Sequence, residues 1–321
     1  MSLTTRFILA SLPITAWACP ASAADSRELG SSNIESQKIS LDGPDWKLAP
    51  DARNVGREEK WFEAPRPEAK ATPVPGAVIY TFPKFFTLGS GVVAWYWRSF
   101  AAPPNPHRGG RYLLRFGAVD YTAEVWLNSQ RVGGHEGGET PFTLDVTDAI
   151  RPGKENLLAV RVLDPGNPAI DGLTIGDVRG RAPDMFCKGG IAYGVELSMV
   201  PAIRIADLHV IPDWKTGELR LKATLNNTAA PSQTVLRFSV APAAGGQTLA
   251  SNEQTPRVET GSSLVEGVLR VPEHRLWSVE DPFLYRVTAG VQAAGSTSLD
   301  RQEVRCGFRD FRIENGYFRL N

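Results

Sequence analysis

Glu136 and Glu139, in the stretch "HEGGE", are two carboxylates close in sequence. Such a pair could serve as general acid and base if its surroundings pushed the two pKa values apart. Gly137 and Gly138 lie between them. A mobile, exposed loop closing a sandwich of strands is therefore the stronger expectation. Other catalytic signatures are missing. "GGHEGGE" is glycine-rich, but no Lys-Ser/Thr pair follows it as in a phosphate-binding loop. "LGSGV" is not the G-x-S-x-G of a nucleophile elbow. The four histidines, His107, His135, His209 and His274, are scattered without metal-ligand spacing, and no Cys pair supports a zinc site.

The elements that would position any site are strands. "YLLRF" sets Tyr112, Leu114 and Phe116 on one face, and "AEVWL" sets Ala123, Val125 and Leu127 opposite Trp126. "LLAVRV" alternates Leu158, Val160 and Val162 against Arg161. "LRLKATL" alternates Leu219, Leu221, Ala223 and Leu225 against Arg220, Lys222 and Thr224, and "LYRVTAGV" repeats the pattern from Tyr285 to Val291. A period of two marks half-buried antiparallel strands. Turn signals punctuate them, as in "NSQ" after Leu127, "RPGKEN" after Ile150 and "ENG" between "FRI" and "YFRL". The fold class is therefore all-β, with sandwiches rather than helices. An aromatic-rich region over 38–200 gives way near Pro201 to shorter, evenly spaced strands over 201–306.

With 321 residues, 42% of them hydrophobic, the chain has room for about two domains. Lys+Arg and Asp+Glu both number 35, so no net charge draws it to nucleic acid or an anionic membrane. The opening "MSLTTRFILASLPITAWACPASAADS" has Arg6, an apolar run from Phe7 to Ala18, and small residues Ala21–Ala23. It reads as a Sec-type signal peptide over 1–23, cleaved after Ala23, too short for a membrane span. A periplasmic or secreted protein is expected. Trp17 before Cys19 argues against a lipid anchor. Residues 24–37 are polar and read as a disordered lead-in. Cys187 and Cys306 then remain, expected as separate thiols in different domains.

Five segments resemble, in order, the amino-terminal part of glycoside hydrolase family 2, the group of β-galactosidases, β-glucuronidases and β-mannosidases. They are "VAWYWR", "AEVWLN" with "GGHEGGETPF", "GGIAYGVEL", "LWSVEDPFLYRV" and "GFRDFRIENGYFRLN". The resemblance implies a jelly-roll (galactose-binding-like) sugar-binding sandwich over 38–200 and an immunoglobulin-like sandwich over 201–306. It also implies that residues 307–321 open a (β/α)8 barrel that carries both catalytic Glu. The chain as given is expected to be inactive alone, with that barrel missing and supplied in cis or trans. No cofactor is implied.

By the same resemblance, Asp184 stands where a loop carboxylate contacts sugar hydroxyls, a role suited to an acceptor of two hydrogen bonds. Arg179, Arg181 and Lys188 flank it and suit an anionic sugar, although solvated loop charges are the commoner outcome. The family has an aromatic or His and then Arg after "GI", where this chain has Ala192 and Tyr193. Trp95, Trp97 and Trp126 could stack on a sugar, but inside strands large aromatics usually fill a core. Two rival readings are a free-standing carbohydrate-binding protein and an assembly module for a separate barrel chain. In the last, Phe308, Phe311, Ile313, Tyr317, Phe318 and Leu320 would form an exposed apolar patch that drives self-association.

Overall fold

The computed structural model describes residues 33–85, 91–174, 176 and 189–321. They form a nearly all-β chain of two sandwiches and a terminal hairpin.

The first sandwich is a jelly roll. Its larger sheet runs Gln130–Glu136, Thr122–Leu127, Glu155–Asp164, Val92–Ala101, Gly43–Pro50 and Lys70–Val74, each strand antiparallel to the next. The facing sheet runs Phe142–Asp145, Arg111–Phe116, Val195–Val200 and Gln37–Ser40. The alternation read from the sequence sets which side chains meet. Ala123, Val125, Leu127, Leu158, Val160 and Val162 enter the layer between the sheets, against Leu114, Phe116, Leu197 and Met199. Each large aliphatic side chain buried this way contributes roughly 1.5–3 kcal/mol.

Trp126 points the other way, as its place in the alternation requires. It joins Trp61, Trp95, Trp97, Ala49 and Ala159 in a second core on the outer face of the larger sheet. Residues 51–69 cover that face. Asp51 anchors the covering segment: its carboxylate accepts the amides of Val55 (2.9 Å) and Gly56 (2.8 Å) and the indole N–H of Trp95 (3.1 Å). Trp97 donates its indole N–H to the Trp61 carbonyl at 2.7 Å. These tryptophans are packing residues.

The second sandwich is immunoglobulin-like. Ile203–Asp213, Glu218–Asn227 and Gly261–Arg270 form one sheet. Ser298–Cys306, Tyr285–Ala293, Ser232–Pro242 and Ala250–Gln254 form the other. Leu219, Leu221, Ala223, Leu225, Val287 and Val291 fill the space between.

Three expectations are corrected here. Residues 34–37 are no disordered lead-in: Ile34–Glu35 pairs in parallel with Ser298–Cys306, and Gln37 opens the jelly-roll strand that follows. The Ile34 amide donates to the Thr297 carbonyl at 2.8 Å, which gives this short polar stretch its foothold on the sheet. Phe308 is not part of an exposed patch. It is fully buried in the immunoglobulin-like core against His274 and Tyr285, so that core continues past residue 306. Glu136 lies at the end of a strand rather than in a mobile loop, paired opposite Thr122, with its carboxylate accepting the Tyr121 hydroxyl at 3.1 Å.

Asp300 joins the two sandwiches. Its carboxylate accepts the Ser36 hydroxyl (2.5 Å), where the chain leaves one sandwich for the other, and the Ile205 amide (2.7 Å) on the crossing strand. The terminal hairpin pairs Phe311–Glu314 with Tyr317–Leu320. Asn315 and Gly316 both take positive φ at its tip (52° and 79°), as "ENG" predicts for a tight two-residue turn. No helix among the described residues is long and apolar enough to cross a membrane.

Candidate functional site: the anchored segment between Thr174 and Gly189

The three residues singled out by resemblance, Arg181, Asp184 and Lys188, lie outside the described residues, as do Arg179, Cys187 and the signal-like residues 1–23. The structure does show what holds both ends of the segment that carries Asp184.

The leading end is fastened by charge. Ile170 and Leu173 exchange backbone hydrogen bonds (2.9 and 3.0 Å) around a two-residue turn at Asp171–Gly172. The turn delivers the Asp171 carboxylate to Arg161, whose guanidinium donates to it at 2.7 Å. Arg161 also donates to Glu124 (3.0 Å) and to the Asn54 side-chain Oδ1 (2.6 Å). Arg57 reaches the same two acids, pairing with Glu124 and with Asp171 (2.9 Å), and the Asn54 amide donates to Asp171 at 2.8 Å. Arg161 is only 1% exposed while Glu124 and Asp171 keep 19% and 23% of their side chains in solvent, so its charge-assisted bonds are shielded from water on the arginine's side.

The electrostatics follow from that burial. Burial pushes the Arg161 guanidinium down, and neighbouring Arg57 adds to this, against the pull of Asp171 and Glu124. Burial would raise the Asp171 carboxyl. The hydrogen bonds from Arg57 and Asn54, with the charges of Arg161 and Arg57, outweigh it and hold the group below the usual carboxylate range.

The trailing end is fastened by backbone. Gly190–Ile191 pairs on one side with Gly76–Ala77 and on the other with Val119–Asp120, while the Gly189 carbonyl accepts the Val78 amide at 2.9 Å. Gly190 has φ +145°, and a Cβ there would stand 2.5 Å from the Gly76 carbonyl oxygen. The second glycine of "GGI" is thus required by both conformation and space. The Tyr96 hydroxyl lies beneath this strand, near the Gly190 and Ile191 backbone, and burial raises its phenol well above the ordinary range.

The "LLAVRV" alternation gave Arg161 a face but not its partners. Those three partners, Asn54, Glu124 and Asp171, come from three separated stretches, and no spacing connects them. Its partial signal is a lone Arg opposite three core aliphatics on a strand whose other outward neighbours are apolar.

Among the described residues, no group of three or more His, Cys, Asp or Glu could hold a metal ion. Glu136 is committed to Tyr121, and Glu139 is exposed beyond two glycines. Burial raises the Asp300 carboxyl, but Asp300 binds strands together at the sandwich junction. The geometry thus fixes both ends of the stretch between Thr174 and Gly189.

Residues 39–201 match the sequence profile of "Glycosyl hydrolases family 2, sugar binding domain", and residues 203–309 match that of "Glycosyl hydrolases family 2". The chain belongs to glycosyl hydrolase family 2. A β-glucuronidase of Paenibacillus borealis is 25% identical over 281 residues, which cover 86% of this chain and 46% of the relative. Among solved structures, a Lactobacillus rhamnosus β-glucuronidase superposes with a TM-score of 0.69 at 25% identity, over 90% of this chain and 47% of that one. A Bacteroides uniformis β-glucuronidase superposes with a TM-score of 0.72 at 20% identity, over 89% and 34%. The second of these likenesses concerns fold alone. The chain spans less than half the length of each of these family 2 proteins.

Proposed function

We propose that this chain supplies the amino-terminal, non-catalytic sandwiches of an exported family 2 glycosidase that cleaves β-glucuronides with retention. Hydrolysis belongs to a (β/α)8 barrel that these sandwiches support, joined in cis or supplied by another chain. The observation that carries the proposal is the double anchoring of the segment bearing Asp184: an ion-pair network at Asp171 and a three-strand clamp at Gly190–Ile191. Fixed ends limit where the segment between them, and the carboxylate it carries, can reach. Arg181 and Lys188, on the same segment, supply positive charge suited to a glucuronate carboxylate. The family 2 relatives named as β-glucuronidases support the choice of sugar.

The hairpin supports the barrel. Phe311, Ile313 and Phe318 are exposed on one face of it, and Phe311 stacks on Phe318 at 5.5 Å. An apolar face of this kind suits a protein partner. Export rests on the apolar run and small-residue cleavage site of residues 1–23.

The test has two parts. The purified chain, assayed on 4-nitrophenyl β-glucuronide, should show no turnover above buffer. The source DNA, read beyond codon 321 and into its neighbours, should encode a barrel. With that barrel present, Asp184→Ala should lower kcat/KM by about a hundredfold or more, the scale of a lost charged contact to substrate. Turnover by the chain alone, or full activity in Asp184→Ala, would overturn the proposal.

A further inference from the structure

The four-stranded sheet of the jelly roll carries a polar row on its outer face. The pairing registers place Ser40 beside Glu196, Glu196 beside Arg115, and Arg115 beside Thr143, one residue from each strand. Their sequence neighbours Ile39, Leu197, Leu114 and Leu144 pack toward the core, so the row faces outward. Tyr193 stands at the end of this row, 63% exposed. Its stem is fixed: the amides of Ala192 and Tyr193 donate to the Ala118 carbonyl (3.0 and 3.3 Å), and the Gly117 amide donates to the Gly194 carbonyl (2.8 Å). A groove of about 400 Å³ runs between Tyr193 and the row, bordered also by Asp42 and Pro141.

Two polar groups in this groove are uncommitted, and one of them, Asp42, is held in place. Asp42 is held through one oxygen, Oδ1, which accepts the Val195 amide at 2.7 Å, while its own amide donates to Ser40 Oγ at 3.1 Å. Its Oδ2 has no hydrogen-bond partner among the described residues. Arg115 makes no ion pair or hydrogen bond there either, although it lies opposite Glu196. Glu196 is engaged elsewhere, with Lys38 at 3.2 Å and the Ser198 hydroxyl at 3.1 Å.

We propose that this groove binds a pyranose ring, with one apolar ring face on Tyr193 and adjacent hydroxyls between the Arg115 donors and Asp42 Oδ2. A rigid aromatic ring gives contact area at little entropic cost. A guanidinium offers fixed donors, and a free carboxylate oxygen accepts hydroxyl hydrogens. One cation beside one free carboxylate favours hydroxyls over an anion, because Asp42 repels a carboxylate or phosphate that approaches Arg115. The inference rests on the sugar-binding reading above and adds a location and a mode of contact to it.

Amide spectra of the ¹⁵N-labelled full chain, titrated with methyl β-glucopyranoside to about 50 mM, test it, since a one-ring contact binds in the millimolar range. Saturable shifts are expected at Gly117, Tyr193, Gly194 and Val195. Tyr193→Ala and Arg115→Ala should each weaken binding about tenfold, and Tyr193→Phe should retain it. Methyl β-glucuronide should bind no tighter, and inorganic phosphate should leave these amides unmoved. Tyr193 is exposed, so the spectrum elsewhere should stay that of the parent. Shifts confined to Gly189 and Gly190 would sink the groove yet leave the proposed function standing. Shifts that persist in Tyr193→Ala, or none at all, would also overturn the inference.

Discussion

Arg161 and Asp171 meet at 2.7 Å on the outer face of a sheet, beside the cluster of Trp61, Trp95, Trp97 and Trp126. The pair fastens a loop turn to a central strand. Asp171 comes with a second cation, Arg57, and Arg161 with a second anion, Glu124. Four charges thus share one patch around the buried Arg161, with Arg57 at its exposed rim.

Removing one member should cost more than any exposed pair in the chain. Arg161→Ala strands Glu124 and Asp171 beside a cavity, with only the partly exposed Arg57 left to them. A loss of about 3–5 kcal/mol is expected. Asp171→Asn keeps the shape and leaves Glu124 for Arg161, so it should cost less. Urea unfolding of the two variants checks the order. An Arg161→Ala chain as stable as its parent would contradict the role given to the network.

Gly190→Ala is expected to destabilise through backbone contact. The added Cβ meets the Gly76 carbonyl oxygen at 2.5 Å, and φ of +145° is strained for any side chain. Either the three-strand clamp opens or the chain carries strain of roughly 1–3 kcal/mol. Thermal unfolding measures the cost. Faster amide exchange at Ile191 would show that the clamp, rather than the whole sandwich, gives way.

Period-two patterning made much of the fold legible. Ala123, Val125 and Leu127 against Trp126 needed only the pleat of a strand, and Asn315–Gly316 needed only the preference for positive φ. Contacts between distant segments were not legible. Arg161 looked like a solvent-facing residue because Asn54 and Asp171 reach it from loops whose course the alternation does not encode, and Glu124 sits opposite it only once the strand register is known. Phe308 sits beside exposed aromatics in sequence, yet Gly307 separates the strand end from the hairpin and lets its ring turn into the core. Ile34 shows the same limit, since a two-residue strand has no period to read. The sequence could name Asp184 only by resemblance, and the structure adds the fixing of the segment's ends.

The sandwich junction should weaken on mild acidification. His107 is buried there, and burial lowers its imidazole below the ordinary range, against the opposing pull of the Asp300 carboxylate and the Glu35 backbone. A folded pKa below the unfolded value of about 6.5 favours neutral His107 in the fold. That contribution is complete above about pH 6.5 and is lost as pH falls through this value toward the folded pKa. Asp300 has the opposite sign: burial raises it, so its contribution is full below the unfolded pKa of about 3.9 and lost as pH rises through the folded value. Between about pH 7.5 and 5.5 the His107 effect should lead. The urea midpoint should fall over that window, and His107→Gln should flatten the fall. An unchanged slope in the variant would place the acid sensitivity elsewhere.

The hairpin should make the isolated chain self-associate. Ile313, Tyr317 and Phe318 are each at least two-thirds exposed, and they lie on adjacent, paired strands. Phe308 must be kept in any test, because it fills the immunoglobulin-like core and its loss would unfold what it supports. The informative changes are therefore a chain ending at Arg309 and the double variant Ile313→Lys, Phe318→Lys. Sedimentation of the parent should shift with concentration over the micromolar range, as burial of a small apolar patch permits, whereas both variants should sediment as monomers. Neither change removes a buried side chain, so the unfolding midpoint should stay close to the parent's. A parent chain that stays monomeric at every concentration would leave the hairpin without affinity for its own kind. Self-association that survives both changes would move the interface to another surface.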